Sequence, residues 1–297
     1  MKSYAPKYYT RFECIADKCT HSCCVGWEIG IDEKTLEKYD KLTGGYGVEI
    51  KNSISQNGEH AVFRLTDEER CSHLDSRGLC KIITHYGESY LCDICREHPR
   101  FYNYTRVAEV GLGMSCREAA RLVLSSSDYN VMEELGEVCA LEDEVFFDGR
   151  AERKKIYDIL GKNLDYNTRL EIIYREYGIP LLDEGRWLET IASLEYLDDT
   201  HKDLFMNYSS KNRPKGKDEY LERALAYFIY RHCTEAFDKE DFCLRLAFCL
   251  FLEGLLASLI CCVKAQSLQD VAVLASIISE EIEYSEDNTE ALQSFGY

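Results

Sequence analysis

The sequence predicts a mainly α fold in which an irregular, cysteine-rich N-terminal module, organised by metal, packs on a C-terminal helical bundle. Three observations carry that prediction. Apolar residues recur at helical spacing through most of the chain beyond residue 128. No run of alternating β-branched residues is long enough for a central sheet. Nine of the 15 cysteines, at positions 14, 19, 23, 24, 71, 80, 92, 95 and 116, fall within the first 116 residues. With 297 residues, 45% of them hydrophobic, and only 4 Pro, the chain can bury one large core or two modest ones.

In the N-terminal module, residues 1–127, apolar and polar residues alternate briefly over 27–31 and 61–65, which predicts two short strands. Residues 35–40 predict a short helix, followed at Thr43-Gly44-Gly45-Tyr46-Gly47 by a flexible turn whose glycines permit positive φ. No strand pattern precedes that turn, so it is not a phosphate-cradling loop. Ser125-Ser126-Ser127-Asp128 marks the boundary to a helical bundle domain, residues 128–297. There, 150–164 carries Ile156, Ile159, Leu160 and Leu164 at helical spacing, and 168–177 repeats the pattern until Gly178-Ile179-Pro180 ends it. Trp187, Ile191, Leu194 and Leu197 share the next face, and a polar loop at 209–218 leads into a helix over 220–237. Helices over 241–263 and 268–283 complete an antiparallel bundle.

Charge and compartment narrow the function. Lys plus Arg number 35 against 53 Asp plus Glu, a net −18 that repels a phosphate backbone, so no nucleic-acid partner is expected. The same excess favours approach of a lysine-bearing protein or a cationic small molecule. The opening Met-Lys-Ser-Tyr-Ala-Pro-Lys-Tyr-Tyr-Thr-Arg holds no apolar signal region, so a reducing, cytoplasmic setting is expected, and metal binding is favoured over disulfides. The most apolar stretch, 242–263, is interrupted by Arg245 and Glu253, at roughly 2.5–3.5 kcal/mol each near a bilayer centre. It reads as a buried helix with no membrane partner.

The cysteines carry the chemistry. Cys14-x4-Cys19-x3-Cys23-Cys24, Cys71-x8-Cys80, Cys92-x2-Cys95 and Cys116 provide soft donors suited to zinc or iron–sulfur clusters, enough for up to two sites of about four ligands. Only one Cys-x2-Cys knuckle is present, and the wider spacings favour iron–sulfur over zinc. A radical-type triplet is not met, because Gly26 stands where Cys23 would need its partner. His21 and His98 are ambiguous as ligand or structural residues, and Arg96, Arg100 and Arg117 are candidates to offset the charge of a thiolate centre. Cys243, Cys249, Cys261 and Cys262 lie in an apolar helix and read as core residues, as do Cys139 and Cys233.

These blocks resemble the flagellin lysine-N-methylase family. The resemblance is carried by Cys14, Cys19 and Cys23-Cys24-Val-Gly-Trp27-Glu-Ile-Gly-Ile-Asp32; by Cys71-Ser-His-Leu-Asp-Ser-Arg-Gly-Leu-Cys80 and Cys95-Arg-Glu-His-Pro-Arg100; and by Ser115-Cys116-Arg-Glu-Ala-Ala-Arg121, with a weaker extension at Tyr227-Phe-Ile-Tyr-Arg231. It implies a metal-ligand set of Cys14, Cys19, Cys23, Cys24, Cys71, Cys80, Cys95 and Cys116. Cys92 falls where the family more often has serine, and Arg117 where it commonly has proline. It also implies transfer of a methyl group from S-adenosylmethionine to the ε-amine of protein lysines, in flagellin for characterised members. A methylase needs a proton acceptor near the amine, and Glu28, Asp32 and Glu118 beside the motifs are candidates. No glycine-rich loop of the dinucleotide-binding kind follows a strand, so the methyl donor is expected in a different kind of site. The alternatives are a cysteine-rich zinc or iron–sulfur redox module without methyl transfer and a partner-binding bundle with structural zinc.

Overall fold

Helix dominates, as the periodicity predicts, in the computed structural model, which describes residues 1–58, 60–138, 147–180 and 183–294. The chain divides into two units: Glu13–Pro99, and a larger one made of Met1–Phe12 with Arg100–Tyr297. These boundaries differ from the 127/128 division expected from the sequence, and strand pairing is the reason. The first strand, β1 (Lys2–Pro6), pairs far along the chain and carries the N-terminus into the larger unit.

The smaller unit is built from short pieces. Strands β2 (Gly30–Ile31), β3 (Ile54–Asn57) and β4 (His60–Phe63) form an antiparallel sheet of order β2-β4-β3, with helices α1 (Glu33–Asp40) and α2 (Gly45–Ser53) in the connection. Both expected strands and the expected helix are present, whereas residues 45–47 lie within α2 rather than in a turn. Gly44, at φ +92°, makes the bend, and Gly47 allows close packing: a Cβ there would lie 2.8 Å from Leu42 Cβ. Helices α3 (Lys81–Tyr86) and α4 (Asp93–Glu97) follow. The core is thin, formed by Ile29, Ile31, Tyr39, Ile50, Phe63 and Ile82 with Ala61, Cys71 and Cys92.

In the larger unit, β5 (Arg100–Tyr104) and β6 (Ala108–Leu112) form a hairpin, helix α5 (Arg117–Ser125) follows, and β7 (Met132–Glu137) completes a four-stranded sheet of order β5-β6-β1-β7. The sequence pattern did not predict this sheet. Only β1 and β6 are parallel, and no glycine-rich strand-to-helix turn of the dinucleotide type accompanies them among the described residues. Buried Glu109 on β6 is held by Arg153 and Arg150, with Arg153 Nη2 at 2.7 Å. Helices α6 (Gly149–Leu160), α7 (Tyr166–Tyr177), α8 (Glu184–Ser193), α9 (Asp199–Phe205), α10 (Asp218–His232), α11 (Lys239–Val263), α12 (Leu268–Ile278) and α13 (Glu286–Gln293) make the bundle. Helix α7 ends where Gly178-Ile179-Pro180 is expected to end it, with Gly178 in the left-handed conformation as its C-cap. Leu197, expected on the apolar face after Trp187, is 53% exposed.

Helix α11 is long and apolar enough to cross a membrane by length and composition, yet 78% of its most apolar window is buried inside the protein. Its central Glu253 accepts two bonds of 2.8 Å from Arg213 and one of 3.1 Å from Tyr166, and Phe251 stacks on Trp187 at 3.9 Å. Both are features of a core helix. Cys233, Cys243 and Cys249 are buried as expected, but Cys261 is half-buried and Cys262 exposed, because α11 turns its last residues toward solvent. Cys139 lies outside the described residues.

Candidate functional site

The smaller unit gathers six cysteines around its thin core. Cys71 and Cys92 are buried within it, Cys24, Cys80 and Cys95 pack against it, and Cys23 adjoins Cys24. Local pairing explains the assembly. Cys71 N–H donates to Cys24 O at 2.8 Å beside the Val25–Arg70 bridge. A turn capped by Asp75, which accepts from Arg77 N and Leu79 N, returns the chain so that Leu74 pairs with Cys80. Cys80 and Cys92 then occupy the N-caps of α3 and α4. Cys95 lies on the face of α4 nearest Cys92, and their sulfurs are 3.4 Å apart.

Electrostatics couples these thiols. A hydrogen bond from Cys24 holds Cys23 down at about 7, and the shared proton and burial push Cys24 far up. The second pair behaves alike: the bond with Cys95 lowers Cys92, while Cys95 itself rises. Burial pushes Cys71 up to about 11 and raises Cys80 against the pull of the Ile83 and Ile82 N–H groups. Cys80 feels the charges of Cys92 and Cys23, and Cys95 those of Cys24 and Cys71. Cys24, Cys71, Cys80 and Cys95 therefore hold protons that a soft cation would displace.

As donors, these thiols fit zinc or an iron–sulfur cluster. The Cys92–Cys95 separation approaches the about 3.8 Å edge that two Zn–S bonds of about 2.3 Å span at a tetrahedral angle. Among the described residues no group of three or more His, Cys, Asp or Glu is drawn up closely enough to hold a metal ion. The chemistry of the donors fits, and the coordination shell is not closed.

Of the implied ligands, Cys23, Cys24, Cys71, Cys80 and Cys95 are gathered here, together with Cys92, which the resemblance left out. Its Cys-x2-Cys spacing to Cys95 was the signal for including it. Cys14 is exposed, and Cys19 ends the short turn Ala16–Lys18. Cys116 belongs to the larger unit, where it caps α5 and packs against that unit's core. The candidate acids have structural partners. Asp32 caps α1 through Thr35 N at 2.9 Å and accepts from Asp93 N at 2.8 Å; these N–H groups outweigh burial and hold its carboxyl below the usual range. Glu28 accepts from Asn57 at 2.5 Å, and Glu118 clamps Arg121. Arg96 is engaged by Asp93 and Glu97, and Arg100 in the larger unit donates to Tyr9 Oη at 3.0 Å. His21 lowers Cys23 slightly by its charge.

A second site lies in the larger unit, where β5, α10, α11 and the C-terminal helices surround a recess of about 410 Å³. Its floor is a buried ion network. Glu283 ends a single π-helical turn, Ser279–Glu283, a widening of the helix common at functional sites. His232 Nε2 lies 2.7 Å from Glu283 Oε1, Tyr227 Oη donates to Oε2 at 3.0 Å, and Arg231 Nε faces the carboxylate at 3.5 Å. The Arg231 guanidinium lies between the rings of Phe101 and Tyr284, at 5.0 and 4.8 Å from their centroids. Burial alone would raise the Glu283 carboxyl, but the Arg231 charge and the His232 bond hold it down at about 2. Burial pushes the His232 imidazole below its ordinary range, so it is neutral near pH 7 and Arg231 is the counter-charge. Glu235, Glu286 and Glu290 form an exposed acidic rim. Sequence reading reached Tyr227 and Arg231 through the resemblance but missed Glu283; its signal was acids at 280, 281 and 283 closing an apolar helix.

No family model matches this chain, and no solved structure matches it. It is similar to proteins named for lysine methylation and flagellar biosynthesis. A lysine-N-methylase of Salmonella typhimurium (strain LT2) is 26% identical over 138 residues, and one of Salmonella choleraesuis is 25% identical over 138. Each match covers 43% of this chain, which spans 34% of those relatives' length. The flagellar biosynthetic protein FliU of Salmonella muenchen is 26% identical over 130 residues, covering 41% of this chain and 77% of FliU.

Proposed function

We propose that this chain is a protein-lysine N-methyltransferase that passes the methyl group of S-adenosylmethionine to lysine ε-amines, with flagellin the first substrate to test. The observation that carries the reading is the similarity over 138 residues to two proteins named lysine-N-methylase. The thiol group formed by Cys23, Cys24, Cys71, Cys80, Cys92 and Cys95 holds a metal centre in this reading, iron–sulfur ahead of zinc. Such a centre would supply a soft positive charge, and as a cluster also electron transfer, beside the smaller unit's core.

The chain's own task is to prepare the nucleophile. A lysine ε-ammonium, of ordinary pKa about 10.4, must give up a proton before its lone pair can form the new N–C bond as the C–S bond of the sulfonium breaks and leaves a thioether. Alignment of amine and methyl at contact distance supplies much of the remaining acceleration. The test is incubation of the chain, purified anaerobically, with labelled S-adenosylmethionine and flagellin from the same cell. Peptide mass mapping should find methyl groups on lysines, and metal and sulfide analysis should find a thiol-bound centre. No mass increase on any lysine would overturn the methylase reading and leave a cysteine-rich metal or redox module.

A further inference from the structure

We propose that Cys92 and Cys95 are a redox modification site: when no metal occupies the thiol group, the two close a reversible disulfide by exchange with a small-molecule disulfide of the glutathione class. Geometry favours this pair over the two other thiol pairs that share a hydrogen bond, Cys23–Cys24 and Cys233–Cys249. The Cys92 and Cys95 sulfurs are 3.4 Å apart. Arg96 N–H donates to Cys92 O and closes the first turn of α4, so helix geometry sets the two Cα atoms about 5 Å apart, inside the span of about 4.4–6.8 Å that a disulfide bridges. Cys23 and Cys24 are consecutive, and the about 3.8 Å between Cα atoms across a trans peptide falls short of that span. Cys233 and Cys249 lie 3.7 Å apart, but both are fully buried in the core of the larger unit, where a dissolved disulfide has no access. Cys95 is half-buried, so its sulfur is the one a reagent reaches, and buried Cys92 is in contact with it.

The exchange balances with no further reactant. Cys95 loses its proton to solvent and its thiolate attacks one sulfur of the small disulfide; the new bond to Cys95 Sγ forms as the S–S bond breaks, and the leaving thiolate takes up a proton. Cys92 then gives up its proton and attacks Cys95 Sγ, displacing the second small thiol. Two protein thiols are oxidised to one disulfide, and one small disulfide is reduced to two thiols. In the reducing setting expected from the sequence, such a bond is transient and exchangeable rather than structural. The pair is better prepared for this than the group is for a metal: among the described residues no three donors are drawn up closely enough to hold an ion, whereas these two sulfurs already touch. Closure withdraws both from the six-thiol group, so the disulfide competes with the metal centre proposed above; only that competition rests on the metal reading.

The test takes the full chain, purified anaerobically with its metal content measured, before and after chelation. Each sample is incubated with oxidised glutathione, free thiols are alkylated in denaturant, and the peptides are mapped by mass. In the chelated chain the peptide holding Cys92 and Cys95 should be unlabelled and lighter by two hydrogens, with Cys24, Cys71, Cys80, Cys233 and Cys249 alkylated, and dithiothreitol should reverse the change. Cys92→Ser should instead hold a glutathione adduct on Cys95, and Cys95→Ser should hold none on Cys92, with circular dichroism checking that each variant is folded. Bound metal should slow closure at least about tenfold, because ligated thiolates are not free to attack. Label on both Cys92 and Cys95, a bridge from either to another cysteine, or a folded Cys92→Ser chain without the Cys95 adduct would overturn the proposal. Equally fast closure with metal bound would remove this pair from the metal centre, and a purified chain without metal would overturn the metal reading; in both cases the disulfide seen in the chelated chain stands.

Discussion

Replacing Glu283 by Gln removes the buried negative charge that faces Arg231 and His232 while keeping the side chain's size. The carboxyl is fully buried and held at about 2 against an ordinary 4.5, a displacement of about 2.5 pH units. At 1.36 kcal/mol per unit that is about 3 kcal/mol of stability at neutral pH, at the lower edge of the cost of breaking a buried ion pair. The direction is fixed by proton uptake. A carboxyl depressed in the folded state binds fewer protons than in the unfolded chain, so its contribution is complete above pH 4.5 and lost as pH falls toward 2. Glu283→Gln should therefore be about 3 kcal/mol less stable at pH 7, with the gap from the native protein closing between pH 4.5 and the lowest pH at which both remain folded. Urea unfolding in a Trp27→Phe background reads this cleanly, because Trp187, buried against Phe251 in the same unit, is then the sole indole. A loss below about 1 kcal/mol, or the same loss at pH 7 and pH 4, would refute the view that Arg231 depends on Glu283 for its charge partner.

Gly47→Ala should destabilise the smaller unit by about 1–3 kcal/mol, because the added methyl meets Leu42 Cβ at 2.8 Å; faster amide hydrogen exchange across residues 45–57, with α10 and α11 unchanged, is the expected signature. On the metal-centre reading proposed above, Cys92→Ser should lower bound metal per chain, measured by mass spectrometry of the metal, while Cys262→Ser at an exposed position leaves it unaltered. If the proposed thiol-bound metal is present, its chelation should weaken hydrogen-exchange protection in residues 13–99 and spare the larger unit, since metal-binding energy acts as folding energy where the apolar core is small.

Helices such as α6 and α7 were legible because each buries one face at the period the sequence displays. Ile156, Ile159 and Leu160 of α6, and Leu170 and Ile173 of α7, are buried as their spacing requires. The four-stranded sheet was not legible, because its strands are stabilised by distant partners rather than by their own pattern. Strand β7 reads Met-Glu-Glu-Leu-Gly-Glu and β1 ends in Pro, and both would be rejected on propensity. Glu109 looks like a surface residue until Arg153, 44 positions later, neutralises it in the core. The pairing of β1 with β6 and β7 moves the unit boundaries away from the polar serine run, which has the composition of a linker but follows directly on α5.

The candidate sites divide in the same way. Cysteine spacing announced a thiol-rich group because its members come from short, local segments, and the pairs Cys23–Cys24 and Cys92–Cys95 are neighbours in sequence and in space. The recess drew its residues from positions 101–103, 231–245 and 283–293, with no motif spanning them, so it was visible only after folding. Burial alone does not distinguish the thiols of the smaller unit from ordinary core cysteines: Cys71 and Cys92 help form the smaller core much as Cys249 helps form the larger. Their neighbours do. Cys249 has one thiol close by, Cys233 at 3.7 Å, amid apolar helices, whereas Cys71 and Cys92 lie in a group whose members oppose one another's ionisation. A soft cation would relieve that opposition, and it would do so at the place where the apolar core is thinnest, which joins the stability of this unit to the chemistry of its thiols.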